Sequence, residues 1–321
     1  MTKILCVGDI HIKPSNLSFV KLLTDRIILE ISNSSPDFVV FLGDLSDSHE
    51  KIHTQCLNAI QSLLNKVSKA CPTFALIGNH DIISPNLFLT KEHPFGTFDI
   101  EGRLQIIDKP IQAGAMLFVP YVPAGRFKEA LSGIDMTPFK IVFAHQEFLG
   151  CKFNGQESSV GDHWDLPIQV VSGHIHEKQS VGMVYYTGTP YQTNFGESAN
   201  KSIALVELNE MTGSIAIQEI YLGMPQKITE HLDITEARKF EIPENTDLRL
   251  TISGTHDQIA AFKKGTKAQE LESKAKVVWK ATDNAAPVPI KRDSKTFIEL
   301  FWEYGNGEGN LVLKFMAEVL K

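Results

Sequence analysis

The chain has 321 residues, 43% hydrophobic and 21% charged, with a formal net charge of -7. That much apolar material excludes a disordered or low-complexity chain, and the length calls for two domains or one large domain with an appendage. The acidity speaks against a protein that coats nucleic acid with basic surface, and no run of 18 apolar residues offers a transmembrane helix.

In chain order, a first apolar run at 3–8 reads as a strand and ends in Asp9-Ile10-His11. Residues 17–31 follow with helical spacing: Leu17, Val20, Leu23, Ile27, Ile28 and Ile31 share a stripe that Thr24 alone interrupts. A strand at 37–43 ends in Gly43-Asp44. The stripe Ile52, Cys56, Ile60, Leu63, Leu64 and Val67 predicts a second helix over 52–67. A strand at 73–77 then runs into Gly78-Asn79-His80-Asp81. This β-α-β-α-β order implies a parallel sheet with crossover helices.

Further strands are predicted at 115–119, 139–144, 168–173, 183–187 and 202–208, the second ending at His145 and the third at His174-Ile175-His176. They suggest a second sheet packed on the first, so an α/β fold in a four-layer α-β-β-α sandwich is expected. Residues 222–244, with Pro225 and Pro243, read as a connection. A small α+β unit follows, with strand 247–253, helix 255–264, strand 273–280 and a Pro-containing loop at 285–290. A helical pattern runs from Lys295 to Lys321, broken near Gly305-Asn306-Gly307. The predicted domains are 1–221, a cap at 222–290 and a helical segment at 291–321.

The N-terminus enters a strand almost at once and lacks a signal-peptide pattern. Cys6, Cys56, Cys71 and Cys151 show no CxxC spacing, which predicts buried thiols in a reducing, cytoplasmic compartment. Residues 1–221 carry 16 Lys/Arg against 23 Asp/Glu, and residues 222–321 carry 15 of each. One stretch is locally basic: Lys263, Lys264, Lys267, Lys274, Lys276, Lys280, Lys291, Arg292 and Lys295, against Glu270, Glu272, Asp283 and Asp293. It reads equally as a solvated face or as a phosphate-contacting patch.

Five clusters of metal-ligand residues therefore sit at predicted strand ends, which converge on one edge of a layered α/β protein. Asp9 and His11, like His174 and His176, are two residues apart, a spacing that points both side chains to one side of an extended segment. Two Asp, one Asn and four His can hold two divalent ions. Such a pair binds a phosphate and acidifies a water molecule, while an imidazole serves the departing alkoxide. Mixed nitrogen and oxygen ligation suits manganese, iron or zinc better than magnesium.

The pattern DxH…GDxxD…GNHD…H…GHxH resembles the calcineurin-like metallophosphoesterase superfamily. The resemblance implies one metal held by Asp9, His11, Asp44 and His176, and another by Asp44, Asn79, His145 and His174. It makes His80 the non-ligand imidazole that protonates the leaving group or stabilises the transition state, Asp81 the residue that orients it, and Asp47 a residue behind the ligands or in the turn, not a ligand.

The stretch 185–197, Tyr-Tyr-Thr-Gly-Thr-Pro-Tyr-Gln-Thr-Asn-Phe-Gly-Glu, is similar to the YxGSPxxxSFxE segment of the SbcD-type recombination nucleases, with Thr189 and Asn194 replacing serines. It implies phosphate contacts from Gly188 and Thr189. The SbcD-type plan adds a capping domain, a helical segment that binds an SbcC-type ATPase, and dimerisation through early helices, here 17–31 and 52–67. The short chain looks more like the compact bacteriophage subunits, which would place it in the host cytoplasm. The expected function is a two-metal, manganese-dependent DNA exonuclease and endonuclease in recombination or double-strand-break repair. Its expected partners are DNA, the ATPase and a second copy, with no membrane. The alternative is a phosphatase or small-molecule phosphodiesterase without a DNA partner, which the acidic N-terminal domain favours. A non-enzymatic repair scaffold is opposed by the intact ligand set.

Overall fold

The near-continuous apolar runs predict strands buried on both faces, and the computed structural model shows what covers them. It describes residues 1–282 apart from 50, 99–101 and 154. Along the chain, β1 (Thr2–Val7), α1 (Leu17–Ser34), β2 (Phe38–Phe41), α2 (Thr54–Ala70), β3 (Thr73–Leu76) and β4 (Leu104–Ile107) come first. The strands β5 (Ile111–Ala113) and β6 (Met116–Val119), the short helix α3 (Phe127–Ala130) and β7 (Ile141–His145) follow. Next are the small hairpin β8 (Lys152–Phe153) and β9 (Gln156–Glu157), then β10 (Gln169–Gly173), β11 (Gln179–Val181), β12 (Val184–Tyr186), β13 (Ile203–Leu208) and β14 (Ile215–Ile220).

Two six-stranded sheets result, ordered β14-β13-β1-β2-β3-β4 and β11-β12-β10-β7-β6-β5. Strands β1 to β4 are mutually parallel, as are β6, β7, β10 and β12, while β13 and β14 close the first sheet antiparallel. Alternation along β1 assigns its faces: Leu5 and Val7 pack with Val20, Leu23 and Ile27 of α1 and Leu63 of α2. Ile4 and Cys6 pack with Phe118, Ile141, Phe143 and Val171 of the second sheet. The outer face of that sheet is covered by Phe127, Phe139 and Phe148, with Trp164 against them. The result is the expected layered α/β sandwich.

Of the helical stripes, Val20, Leu23, Ile27 and Ile31 of α1 and Cys56, Ile60, Leu63, Leu64 and Val67 of α2 are buried in this core, with Leu17, Ile28 and Ile52 partly buried against it. Thr24 fits there because its hydroxyl donates to the Val20 carbonyl at 2.7 Å. The hairpin β8–β9 escaped the sequence pattern, as did β4, β5, β11 and the edge strand β14, whose residues are all half-buried or exposed.

The chain divides into two units, Met1–Glu230 with Glu241–Arg249, and His231–Phe240 with the described residues from Leu250 onward. Residues 222–244 are not a plain connection: β15 (Gln226–Asp233) and α4 (Ile234–Lys239) form there. Pro225 and Pro243 bracket these elements instead of interrupting them, and Asp233 caps α4 by accepting from the amides of Thr235 and Glu236. β16 (Thr246–Gly254), α5 (His256–Lys263), α6 (Thr266–Lys274) and β17 (Ala275–Ala281) follow, α6, like α4, being a helix that the sequence reading lacks. The second unit's core is built from Ile234, Ala237, Leu250, Ile252, Ile259, Phe262, Ala268 and Leu271. Lys267 and Lys274 both pair with Glu270, which partly offsets the basic stretch. Lys291, Arg292, Lys295, the loop at 285–290 and the segment 291–321 lie outside the described residues. No described helix is long and apolar enough to cross a membrane.

Candidate metal centre

Parallel strands send their C-terminal ends to one edge, and all five clusters are carried there by β1, β2, β3, β7 and β10. The turns that aim them are strained. His11, Asp44 and His174 have φ of 49°, 51° and 77°, values that non-glycine residues rarely adopt outside functional turns. Gly43, at φ 104°, approaches so closely that a Cβ there would stand 2.3 Å from Nδ1 of His145.

Seven side chains meet. Nε2 of His11 lies 2.8 Å from Nε2 of His176 and 3.6 Å from Oδ2 of Asp44. The Asn79 amide oxygen is 2.9 Å from Nε2 of His145 and 2.8 Å from Nδ1 of His174. Nδ1 of His145 donates to the Leu42 carbonyl at 2.7 Å, which leaves Nε2 facing Asn79 and Asp44. Asp9 accepts from the His174 amide through Oδ1 at 2.8 Å, while its Oδ2 is buried without a hydrogen-bond partner among the described residues.

These groups fit a pair of cations. Asp9, His11 and His176 present donor atoms within 4.8 Å of one another, and so do Asp44, His145 and His174. His11, Asp44 and His80 satisfy the same criterion, so Asp44 stands in two of the three groupings. The electrostatics agree. Burial, followed by neighbouring imidazoles, pushes the His174 ring down to about 3, and burial outweighs the attraction of Asp44 to bring His11 down to about 3 as well. Both are therefore neutral, ligand-competent imidazoles. Burial also opposes charge on His145 and on Asp44, but their mutual attraction prevails, raising His145 to about 9 and lowering Asp44. Burial raises the Asp9 carboxyl. The site thus gathers carboxylates and imidazole nitrogens, with His11 and His174 neutral and His145 held in its charged form by Asp44.

His80 lies beside this cluster. Its Nδ1 donates to the main-chain carbonyl of Asp47 at 3.1 Å, its ring stacks on His49 with centroids 4.6 Å apart, and its amide donates to Asp44 at 2.8 Å. The expected pairing of Asp81 with the His80 ring is corrected. Asp81 is buried beneath the loops and accepts from the amides of Leu45, Ser46 and Gly78 at 3.3, 2.8 and 2.9 Å. Burial, then the charge of Asp44, pushes its carboxyl up to about 7. Asp81 therefore ties the Asp44 loop to the Asn79 loop, and the Asp47 backbone orients the imidazole.

The expected phosphate contacts of Gly188 and Thr189 are also corrected. Thr189 is fully buried, and its amide donates to the His176 carbonyl at 3.2 Å. Gly188 abuts Gly8, where an added Cβ would stand 2.0 Å from the Gly188 carbonyl oxygen. The pair packs behind the ligands instead of facing a substrate. Sequence reasoning also missed Asn16 and Tyr191. The Tyr191 hydroxyl donates to the Ile10 carbonyl at 2.7 Å and accepts from Asn16, whose amide nitrogen also donates to the His11 carbonyl at 2.8 Å. The cluster opens into a groove of about 690 Å³, lined by His80, His174, His176, Lys152, Phe153 and Phe195 among others.

Residues 2–178 match the family described as calcineurin-like phosphoesterase. Protein 078R of Invertebrate iridescent virus 3 is 34% identical over 334 residues, covering 98% of this chain and 95% of that protein. Protein 244L of Invertebrate iridescent virus 6 is 34% identical over 277 residues, covering 82% of this chain and 97% of that protein. Both carry phosphoesterase as a provisional name. Among solved structures, the nuclease MPE of Pseudomonas putida aligns at 12% identity and a TM-score of 0.33, over 63% of this chain and 83% of its own.

Proposed function

Because this chain belongs to the calcineurin-like phosphoesterase family, we propose that it is a metal-dependent phosphodiesterase that cuts DNA as an exonuclease and endonuclease. Phosphoester hydrolysis is the family's chemistry. The observation that carries the reading is the convergence of Asp9, His11, Asp44, Asn79, His145, His174 and His176 on one point.

In this reading Asp9, His11, Asp44 and His176 hold one divalent ion, and Asp44, Asn79, His145 and His174 hold the other, with manganese the preferred metal. When bound, such ions neutralise the phosphoester and lower the pKa of a water molecule. The protein's own part is positional. Asp44 joins the two ligand groups, and the strained turns at His11, Asp44 and His174 fix the donor directions. The Asp47 carbonyl fixes the His80 tautomer by accepting from Nδ1, so Nε2 is the atom left to exchange a proton with the departing alkoxide.

A polyanionic substrate such as DNA is supported by Lys152, which lines the groove beside the cluster. The resemblance of 185–197 to SbcD-type nucleases supports an SbcC-type ATPase partner, a homodimer and a role in recombination or break repair. A phosphatase or small-diester reading is favoured by the net charge of -7.

The deciding assay offers linear duplex DNA and bis-p-nitrophenyl phosphate in parallel, with manganese and then other divalent ions, with and without a candidate ATPase. DNA degradation is expected. Rapid turnover of the small diester with intact DNA under every metal would transfer the assignment to the second reading. Removal of 291–321 is expected to abolish ATPase association while sparing small-diester hydrolysis.

A further inference from the structure

We propose that loop 193–198 presents Phe195 as a platform for a nucleobase next to the scissile phosphate, an assignment that rests on the phosphodiesterase reading above. With Gly188 and Thr189 buried, the part of the 185–197 stretch that faces the groove is its far end. Asn194, Phe195 and Gly196 line the same groove as Asp44, Asn79, His80 and His176.

The loop is anchored. The Glu197 carboxylate accepts from the Thr193 amide and hydroxyl at 3.0 and 2.5 Å and from the Asn194 amide at 3.1 Å. It also pairs with Lys201 at 3.3 Å. Lys201 is 8% exposed, and its ammonium donates to the His176 carbonyl at 2.9 Å. The loop is thereby joined to a residue of the metal cluster. The ring is held as well: the Arg249 guanidinium carbon sits 4.1 Å from its centroid and the Lys227 ammonium 5.0 Å, with Lys227 in turn paired to Asp247.

A half-buried phenyl ring fixed by two cations at the edge of a polar groove belongs to none of the hydrophobic clusters of the interior. Phe195 lines the groove into which the metal cluster opens, and in this proposal the aromatic face that Arg249 and Lys227 leave uncovered is the one a substrate meets. The groups joined to phosphate that match such a face are nucleobases, and every base can stack on it, so the contact favours bases without choosing among them.

The test uses manganese-loaded protein and two oligonucleotides of equal length, one of thymidylate residues and one with abasic tetrahydrofuran residues in their place. The wild type is expected to prefer the base-bearing strand in kcat/KM by roughly five- to hundred-fold, the range that one stacked base supplies. Phe195→Ala and Phe195→Leu are expected to collapse that ratio towards one, and Phe195→Tyr to retain it. Leucine keeps the bulk without the aromatic face, so a folding defect cannot imitate the result. An undiminished ratio in the Ala and Leu variants overturns the assignment of Phe195 alone. Failure of the wild type to hydrolyse the oligonucleotides and bis-p-nitrophenyl phosphate alike removes the phosphodiesterase reading and the platform with it.

Discussion

Nε2 of His11 and Nε2 of His176 face each other at 2.8 Å, a separation at which one ring must lend a proton for the other to accept. Burial keeps His11 neutral, with one N–H to place between its two ring nitrogens, and the partnerless oxygen of Asp9 lies in the same group of donors. A divalent cation satisfies all three atoms. Manganese should therefore raise the melting temperature and a chelator should lower it. Free metal at a hundred times its Kd stabilises by about 2.7 kcal/mol, worth several degrees in a protein of this size. His176→Ala should lose most of that shift. Thermal scans that do not respond to manganese, zinc or chelator would remove the metal centre.

His80→Ala separates catalysis from ligation. His80 stands within donor distance of His11 and Asp44, yet its Nδ1 is engaged by the Asp47 carbonyl. With His80 as the proton donor, the variant keeps both metals and loses about two to four orders of magnitude in rate. Metal content by elemental analysis checks this. A variant that loses an ion would place His80 among the ligands.

Tyr191→Phe probes the support of the first ligand loop. Without the hydroxyl, the Ile10 carbonyl loses its donor and the Asn16 amide one of its acceptors, both in a buried setting. The expected cost is about 1–3 kcal/mol of stability, together with weaker metal binding, since Asn16 also holds the carbonyl of the strained His11. Denaturant titration and calorimetric metal binding read the two effects. Metal affinity equal to wild type would make Tyr191 a core residue only.

The metal centre was legible because its strands are buried on both faces: β1, β2, β3, β7 and β10 read as unbroken apolar runs, and each run stops at a short polar cluster. Nothing local marks Asn16 or Tyr191, which act on each other across 175 positions. Gly188 and Thr189 misled because a hydroxyl beside a glycine looks the same in sequence whether it faces solvent or is sealed behind a ligand strand. Asp81 misled for a related reason. Adjacency to His80 suggests a partnership, whereas a short helical turn at Asn79–Asp81 sends the carboxylate toward backbone amides. The strand and helix between Pro225 and Pro243 were hidden by a half-exposed pattern too weak to outweigh the prolines.

Asp81→Asn tests the revised role directly. The carboxylate has two acceptor oxygens for three amides, those of Leu45 and Ser46 beside Asp44 and that of Gly78 beside Asn79. An asparagine supplies one oxygen and turns an NH2 group toward an amide that also donates, so a buried donor goes unpaired. A loss of about 1–3 kcal/mol is expected, and because both ligand loops loosen, metal affinity should fall with it. An Asp81 that oriented the His80 ring would behave differently, with stability and metal binding at wild-type values and the loss confined to kcat. Metal titration beside steady-state kinetics on a small diester distinguishes the two, and a defect in kcat alone would return Asp81 to the imidazole.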